Sequence, residues 1–197
     1  MLVKTAFSPF RTTAAVVTAL ALAFGGAGVA QADPTAVLID VGGAGDATFA
    51  PDAFGTGGLT ETKPASAPSL PNWGPTTAHP IPADIWHTSR YLESTYAVTG
   101  LTPGATYEVR LYFMDWYFKG KPGKRVFDVA VDGTKVLTDF DIIATAIARG
   151  ADGTNSFGVE RDFTAVVGES GTVTIDFIRG KEDQPQVNAI ALVPVTP

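Results

Sequence analysis

The chain has 197 residues, a formal net charge of −6 and no cysteine. Without cysteine it can form no disulfide, and thiol catalysis and zinc sites with cysteine ligands are excluded. Its acidic balance is the opposite of what nucleic acid or an anionic membrane surface attracts, so we expect neither as a partner.

The N-terminal segment has the pattern of a secretory signal peptide. Cations precede an apolar run over residues 14–24, which is too short for a membrane-spanning helix. Ala30-Gln31-Ala32 places small residues where a signal peptidase cleaves. We therefore predict a signal peptide over residues 1–32 and a secreted, extracellular, soluble domain over residues 33–197. An N-terminal anchor that stays attached is the alternative.

A loop-rich segment over residues 41–85 follows a short apolar strand predicted at residues 36–40. It is rich in Gly, Pro, Thr and Ser and has little periodicity. Large apolar residues recur along it, and such residues usually anchor a loop onto a core. They are Phe49, Phe54, Leu59, Leu70 and Trp73. We expect a long structured loop, with a disordered linker over residues 63–82 as the alternative.

Further short segments with alternating apolar residues predict β-strands. They cover residues 107–113, 125–131, 134–137, 162–167, 172–178 and 187–193. Pro103-Gly104 and Asp132-Gly133 are turn signals between them. Residues 140–149 have a helix-compatible composition, although their β-branched side chains suit a short extended stretch equally well.

Strands at this spacing without intervening helices are typical of an all-β domain. Alternation gives each sheet one buried face, which favours two packed sheets over an open sheet. We predict a two-sheet antiparallel β-sandwich with jelly-roll connections, in which the first and last strands lie together.

The sequence contains no recognisable set of catalytic residues. His79 and His87 are the two histidines, and no serine stands in a nucleophile-elbow motif. Asp139 and Asp141 could share one face of an extended segment, yet nothing around them demands the raised pKa of a glycosidase acid. We predict that the protein is not an enzyme.

Oxygen-rich loops allow a structural calcium ion without requiring one. Asp46, Asp52 and residues 152–155 carry such oxygens, but none has the spacing of an EF-hand loop. We therefore predict no cofactor and leave a structural calcium open.

Aromatic residues cluster at the exit of the predicted strand 107–113. Trp116, Tyr117 and Phe118 follow Asp115 directly. Because successive side chains of an extended segment alternate in direction, the three rings cannot all enter one core. Aromatic rings beside a carboxylate suit sugar recognition, whereas the same rings could instead close the end of the sandwich.

The order of motifs resembles the malectin domain family, a family of lectin-like β-sandwiches. Residues 85–91 (IWHTSRY) are similar to its LYxTERY segment, with Ser89 in place of the acid, and residues 107–118 (YEVRLYFMDWYF) to YxVxLxFAExYF. The other matching segments are Ile39-Asp40-Val41-Gly42-Gly43, Phe54-Gly55-Thr56-Gly57-Gly58 and residues 125–129, 136–142 and 183–187.

This resemblance implies a site for short glucose-type oligosaccharides on loops at one end of the sandwich. The positions that match the family's binding residues are Tyr91, Tyr117, Phe118 and Asp183. Trp73 aligns only loosely with a further family tyrosine, and Asp115 stands where the family has Glu. Asp115 could support the site or hold a loop in place.

We accordingly predict a secreted lectin-like module that binds a short oligosaccharide or a cell-wall or plant polysaccharide by aromatic stacking and one aspartate. The alternative is an extracellular interaction module that binds a cell-surface protein through the same aromatic edge.

Overall fold

A computed structural model describes residues 34–63, 77–151 and 157–195. Within them the strands, numbered in chain order, are β1 (Val37–Asp40), β2 (Gly55–Thr62), β3 (Thr88–Val98), β4 (Thr106–Asp115), β5 (Val126–Val131), β6 (Thr134–Phe140), β7 (Phe157–Val166), β8 (Val173–Glu182), β9 (Gln186–Val187) and β10 (Ala189–Pro194). A 3-10 helix covers Ala83–His87, and an α-helix, α1, covers Ile142–Ala148.

The strands form two antiparallel sheets. One has the order β1-β10-β4-β7, and the other has the order β2-β3-β8-β5-β6, with β9 paired to β3. The first and last strands pair directly, since Val37 lies opposite Leu192 and Asp40 opposite Ala189. The predicted two-sheet jelly-roll sandwich is therefore confirmed.

The core lies between the sheets and is filled by the alternating residues of the inner strands. In β4 the buried inner face carries Val109, Leu111 and Phe113. The Phe113 ring lies 5.0 Å from Phe140, 5.9 Å from Phe127 and 6.3 Å from Phe177, centroid to centroid. Tilted and edge-to-face contacts of this kind add to the free energy gained from burial alone.

A second apolar layer covers the outer face of the β1-β10-β4-β7 sheet. Tyr112 and Met114 of β4 point outward and pack with Phe49, Ile85 and Trp86, which come from the loop-rich segment and the 3-10 helix. Trp86 meets Tyr112 edge to face at 5.8 Å. The loop-rich segment is thus structured where it is described.

The structure also corrects several predictions made for single segments. Residues 55–62 and 88–98 form β2 and β3, which the sequence pattern did not predict. Phe49 is an anchor as expected, but Phe54 is 39 % exposed and Leu59 54 % exposed, so neither anchors the segment to the core. Leu70, Trp73 and the predicted signal peptide lie outside the described residues.

Of the two alternatives for residues 140–149, the structure has the helix, over Ile142–Ala148, because Asp141 caps α1 and three of its residues are buried. The Asp141 Oδ1 atom accepts the Ala144 N–H at 2.9 Å, and the buried residues are Ile142, Ile143 and Ala146. Among the described residues, no helix has the length and apolar character needed to cross a membrane.

Candidate functional site

A cleft opens at the end of the sandwich where β2, β4 and β8 finish and β3 and β5 begin. Strand β3 pairs with β8 through residues 94–98 and with β9 through residues 90–91. A β-bulge against β2 separates the two stretches, and Leu92 within it has a φ of 71°. Asp183, just after β8, also has a positive φ of 54°. Bulges and residues with a left-handed backbone conformation change the direction of side chains and are frequent beside binding sites.

The cleft has a volume of about 390 Å³, at the lower end of the range typical of small-ligand sites. It is lined by Glu61, Tyr91, Leu92, Tyr117, Arg125, Asp183 and Gln184. These residues come from β2 and β3 of one sheet and from the loops after β4 and β8, so the sandwich scaffold holds them together.

Aromatic rings form one wall of the cleft. Tyr117 is 63 % exposed and Tyr91 is half-buried. The Phe118 ring supports Tyr117 from the side in an edge-to-face contact at 4.9 Å. Asp115 sets this local conformation, because its Oδ1 atom accepts the N–H groups of Tyr117 at 2.9 Å and Phe118 at 3.0 Å. Tyr117 therefore points a large apolar surface at solvent.

A buried ion pair forms the floor. The Arg125 Nε donates to Asp115 Oδ2 at 2.9 Å, and the two side chains are 6 % and 0 % exposed. One terminal nitrogen of Arg125 lies 3.1 Å from Asp183 Oδ2 and donates to the Gln184 carbonyl at 2.6 Å. The guanidinium also lies over the Phe118 ring, 5.3 Å from its centroid. One arginine thus ties the β4 exit to the loop after β8.

Glu61 adds a third carboxylate to the two around Arg125. Burial raises the pKa of Glu61, a hydrogen bond from Ser89 and the charge of Arg125 oppose the rise, and the nearby charges of Asp115 and Asp183 add to it. The Ser89 hydroxyl donates to Glu61 at 3.2 Å. Three carboxylates thus face one guanidinium, and the cleft is negatively charged.

The structure places the residues predicted from sequence unequally around this cleft. Tyr91, Tyr117 and Asp183 line it. Phe118 lies behind Tyr117 and beneath Arg125. Asp115 has no exposed surface, so it cannot contact a ligand directly and instead holds the loop and the arginine in place. Trp73 lies outside the described residues.

Sequence reasoning missed four lining residues: Glu61, Leu92, Arg125 and Gln184. Arg125 and Gln184 lie inside segments that resemble the family, Arg125 at the start of residues 125–129 and Gln184 directly after Asp183. Their position in these segments is the signal by which the sequence could have indicated them as site residues. Glu61 reaches the cleft only because β2 pairs with β3, with Glu61 opposite Ser89. No local pattern in the sequence indicates that pairing.

Outside the cleft, one side-chain cluster has the composition of a metal site. His79, Glu160 and Asp162 bring their ligand atoms within 4.8 Å of one another, alone among the described residues in doing so. However, His79 Nδ1 lies 2.6 Å from Glu160 Oε1, whereas two ligands of one zinc ion lie roughly 3.4 Å apart. Glu160 also accepts the N–H groups of Ala78 and His79, so hydrogen bonding accounts for the cluster.

The oxygen-rich loops considered for calcium have other roles where they are described. Asp46 Oδ1 accepts the N–H groups of Thr48 and Phe49, both at 2.7 Å, in an Asx turn. Asp52 accepts hydrogen bonds from Arg90 at 2.7 Å and Tyr96 at 2.8 Å. Residues 152–155 lie outside the described part of the chain.

Comparison with known proteins gives a family match and a set of similar structures. The model of the malectin domain family matches residues 44–190. The ANXUR1 extracellular domain from Arabidopsis thaliana has a similar fold, with a TM-score of 0.64 and 19 % sequence identity over 81 % of this chain and 48 % of that one. The ANX2 ectodomain from the same plant gives a TM-score of 0.64 and 17 % identity over 82 % of this chain and 50 % of that one.

A third similar structure contains a plant peptide, RALF23, in complex with FER and LLG2, with a TM-score of 0.64 and 17 % identity over 81 % of this chain and 48 % of that one. This chain therefore spans about half the length of these structural relatives. At such low identity the likeness establishes the fold. No match was found among curated proteins.

Proposed function

Because the chain belongs to the malectin domain family, we propose that it is an extracellular, non-enzymatic binding module whose ligand site is the cleft between Tyr91, Tyr117 and Asp183. The observation that carries this proposal is the convergence of two tyrosine rings and a carboxylate on one open hollow. The buried Asp115–Arg125 pair holds that hollow in shape, which lowers the entropic cost of binding.

The first candidate ligand is a segment of another protein. Tyr117 is an exposed, rigid aromatic side chain, and residues of this type frequently dominate the free energy of protein association. The complex of RALF23 with FER and LLG2 supports this candidate, because a protein of similar fold takes part in an assembly that contains a peptide.

The second candidate is a short oligosaccharide, and the composition of the cleft favours it. Tyrosine rings can stack on the apolar faces of a pyranose ring. The carboxylates of Glu61 and Asp183 can accept hydrogen bonds from its hydroxyl groups, and the amide of Gln184 can accept or donate them. A ligand so small and polar would bind with roughly −4 to −8 kcal/mol, which corresponds to millimolar to micromolar affinity.

One experiment tests both candidates: the secreted protein is screened on a glycan array and against a library of displayed extracellular peptides. Tyr117→Ala should remove binding to whichever class is captured, and Asp183→Asn should weaken it without straining the left-handed backbone. Both variants should keep the melting temperature close to that of the wild type, because these side chains are exposed.

Val166→Ala is the matched control, since Val166 is 64 % exposed and lies at the end of β7 remote from the cleft. Ligand capture that survives Tyr117→Ala unchanged would show that the cleft is not the ligand site.

A further inference from the structure

The positive charge of Arg125 is fully engaged within the protein. Its guanidinium contacts Asp115, Asp183 and the Gln184 carbonyl and lies over Phe118. It therefore has little capacity left to attract an anionic ligand. It also balances only one of the carboxylates that surround it, so the cleft keeps an excess of negative charge.

Glu61 carries the part of this charge that is least compensated. Among the described residues, the Ser89 hydroxyl is its one hydrogen-bond donor and no basic side chain forms an ion pair with it. Its raised pKa has burial as the main cause, which means that Ser89 and Arg125 only partly replace the water removed from the carboxylate. A ligand with a positive charge would supply the counter-charge that Glu61 lacks.

The aromatic wall favours the same kind of ligand. Tyr91 and Tyr117 line the cleft together with Glu61, and the negative face of an aromatic ring attracts a guanidinium or ammonium group. A neutral ligand would remove water from Glu61 without supplying a counter-charge, and an anionic ligand would be repelled. A planar guanidinium, in contrast, can stack on a ring and donate two parallel hydrogen bonds to a carboxylate.

We infer that the cleft selects a positively charged side chain of its protein partner, an arginine above all, and that Glu61 is the residue that recognises the charge. This inference rests on the proposed function of the cleft. It also distinguishes between the two candidate ligands, because a neutral glucose-type sugar does not provide such a charge.

The test uses two probes of nearly identical shape, Nα-acetyl-arginine methylamide and its neutral isostere Nα-acetyl-citrulline methylamide. Each is titrated into the whole protein while backbone amide shifts are followed by NMR. The arginine probe should bind roughly tenfold more tightly, about the combined effect of one partly exposed ion pair and one cation–π contact. The shifts should centre on Tyr91, Tyr117 and Asp183.

Glu61→Gln keeps the shape of the side chain and should reduce the preference for arginine nearly to parity, because the arginine probe loses far more affinity than the citrulline probe. Glu169→Gln is the matched control, because it removes the same charge from an exposed turn beside Gly168, at the other end of the sandwich. It should leave the preference unchanged. Tyr117→Ala should weaken both probes, which locates them in the cleft independently of Glu61.

The possible failures are distinguishable. Equal affinity for the two probes, or an arginine preference that survives Glu61→Gln, overturns the charge selectivity. If the arginine probe does not bind in the cleft, the inference is also wrong, and the Tyr117→Ala result of the array screen then decides whether the proposed function stands. A neutral oligosaccharide captured through Tyr117 would preserve the binding site and refute the cationic ligand.

Discussion

Replacing Arg125 with methionine should destabilise the domain far more than the loss of a surface cation does. The substitution keeps most of the side-chain length but leaves the carboxylate of Asp115 with no counter-charge and no exposed surface. It also removes the donor to the Gln184 carbonyl. Asp115 must then lose its charge or draw water into the floor of the cleft, and both alternatives cost free energy.

The magnitude follows from the geometry of the pair. At an effective dielectric constant of about 20, unit charges separated by the observed 2.9 Å attract each other by roughly 6 kcal/mol. Removing water from both groups during folding offsets much of this gain, so the pair itself contributes little net stability. Removing Arg125 leaves the desolvation cost of the Asp115 carboxylate without the compensating attraction. We therefore expect Arg125→Met to lower the free energy of unfolding by about 3–5 kcal/mol.

The assay is urea unfolding at pH 7.5, followed by fluorescence and far-UV circular dichroism, for Arg125→Met, Asp115→Asn and the double variant. The double variant should lose less than the sum of the single losses, because it removes both charges together. Lys135→Met is the control, since its ion pair with Asp128 is at the surface and should contribute about 1 kcal/mol or less. A loss below about 1 kcal/mol for Arg125→Met, or additive single losses, would refute the reasoning.

Two further predictions concern stability away from the cleft. Burial, together with Glu160 and Glu108, raises the pKa of Asp162 to about 6. The folded state thus binds this proton more tightly than the unfolded chain, and the contribution of Asp162 to stability should rise as the pH falls from about 6 towards 4. Asp162→Asn should therefore stabilise the protein at pH 7.5, by about 1 kcal/mol after allowance for solvent exposure, and should have almost no effect at pH 4. An equal effect at both pH values in thermal melts would contradict this. At Gly180 an added Cβ would lie 2.2 Å from the Val126 carbonyl oxygen, so Gly180→Ala should cost roughly 1–3 kcal/mol in urea unfolding. Gly168→Ala, which meets open space, is its control, and equal losses at the two positions would exclude a steric cause.

The parts of the fold that could be predicted from sequence are those in which burial alternates along a strand. In β4 every second residue from Tyr107 to Phe113 enters the core, and the pattern predicted that strand to within two residues of its observed ends. Strand β2 could not be predicted in this way, because its glycines and polar residues leave it mostly exposed. The bulge at Leu92 interrupts the alternation of buried and exposed residues in β3, so the sequence pattern did not predict that strand either.

The candidate site could be predicted only where its residues belong to one continuous motif. Tyr117 and Asp183 stand in segments that could be recognised on their own, next to a strand end and a turn. Glu61 depends on which strand lies beside β3, a fact of long-range pairing that no local pattern carries. The burial of Asp115 could not be predicted either, because it depends on the ion pair that Arg125 forms with it in the folded protein.

The pairing of β1 with β10 has a practical consequence for how the domain can be attached to a surface or to another domain. Val37 and Pro194 lie beside Leu192 and Tyr107, at one pole of the sheet, whereas Asp115, at the opposite pole of β4, lies at the floor of the cleft. Eight residues of extended chain from Tyr107 to Asp115 correspond to roughly 27 Å. A tether joined near either Val37 or Pro194, whether to a sensor chip, a second domain or a cell envelope, would hold the mouth of the cleft outermost and leave it unobstructed.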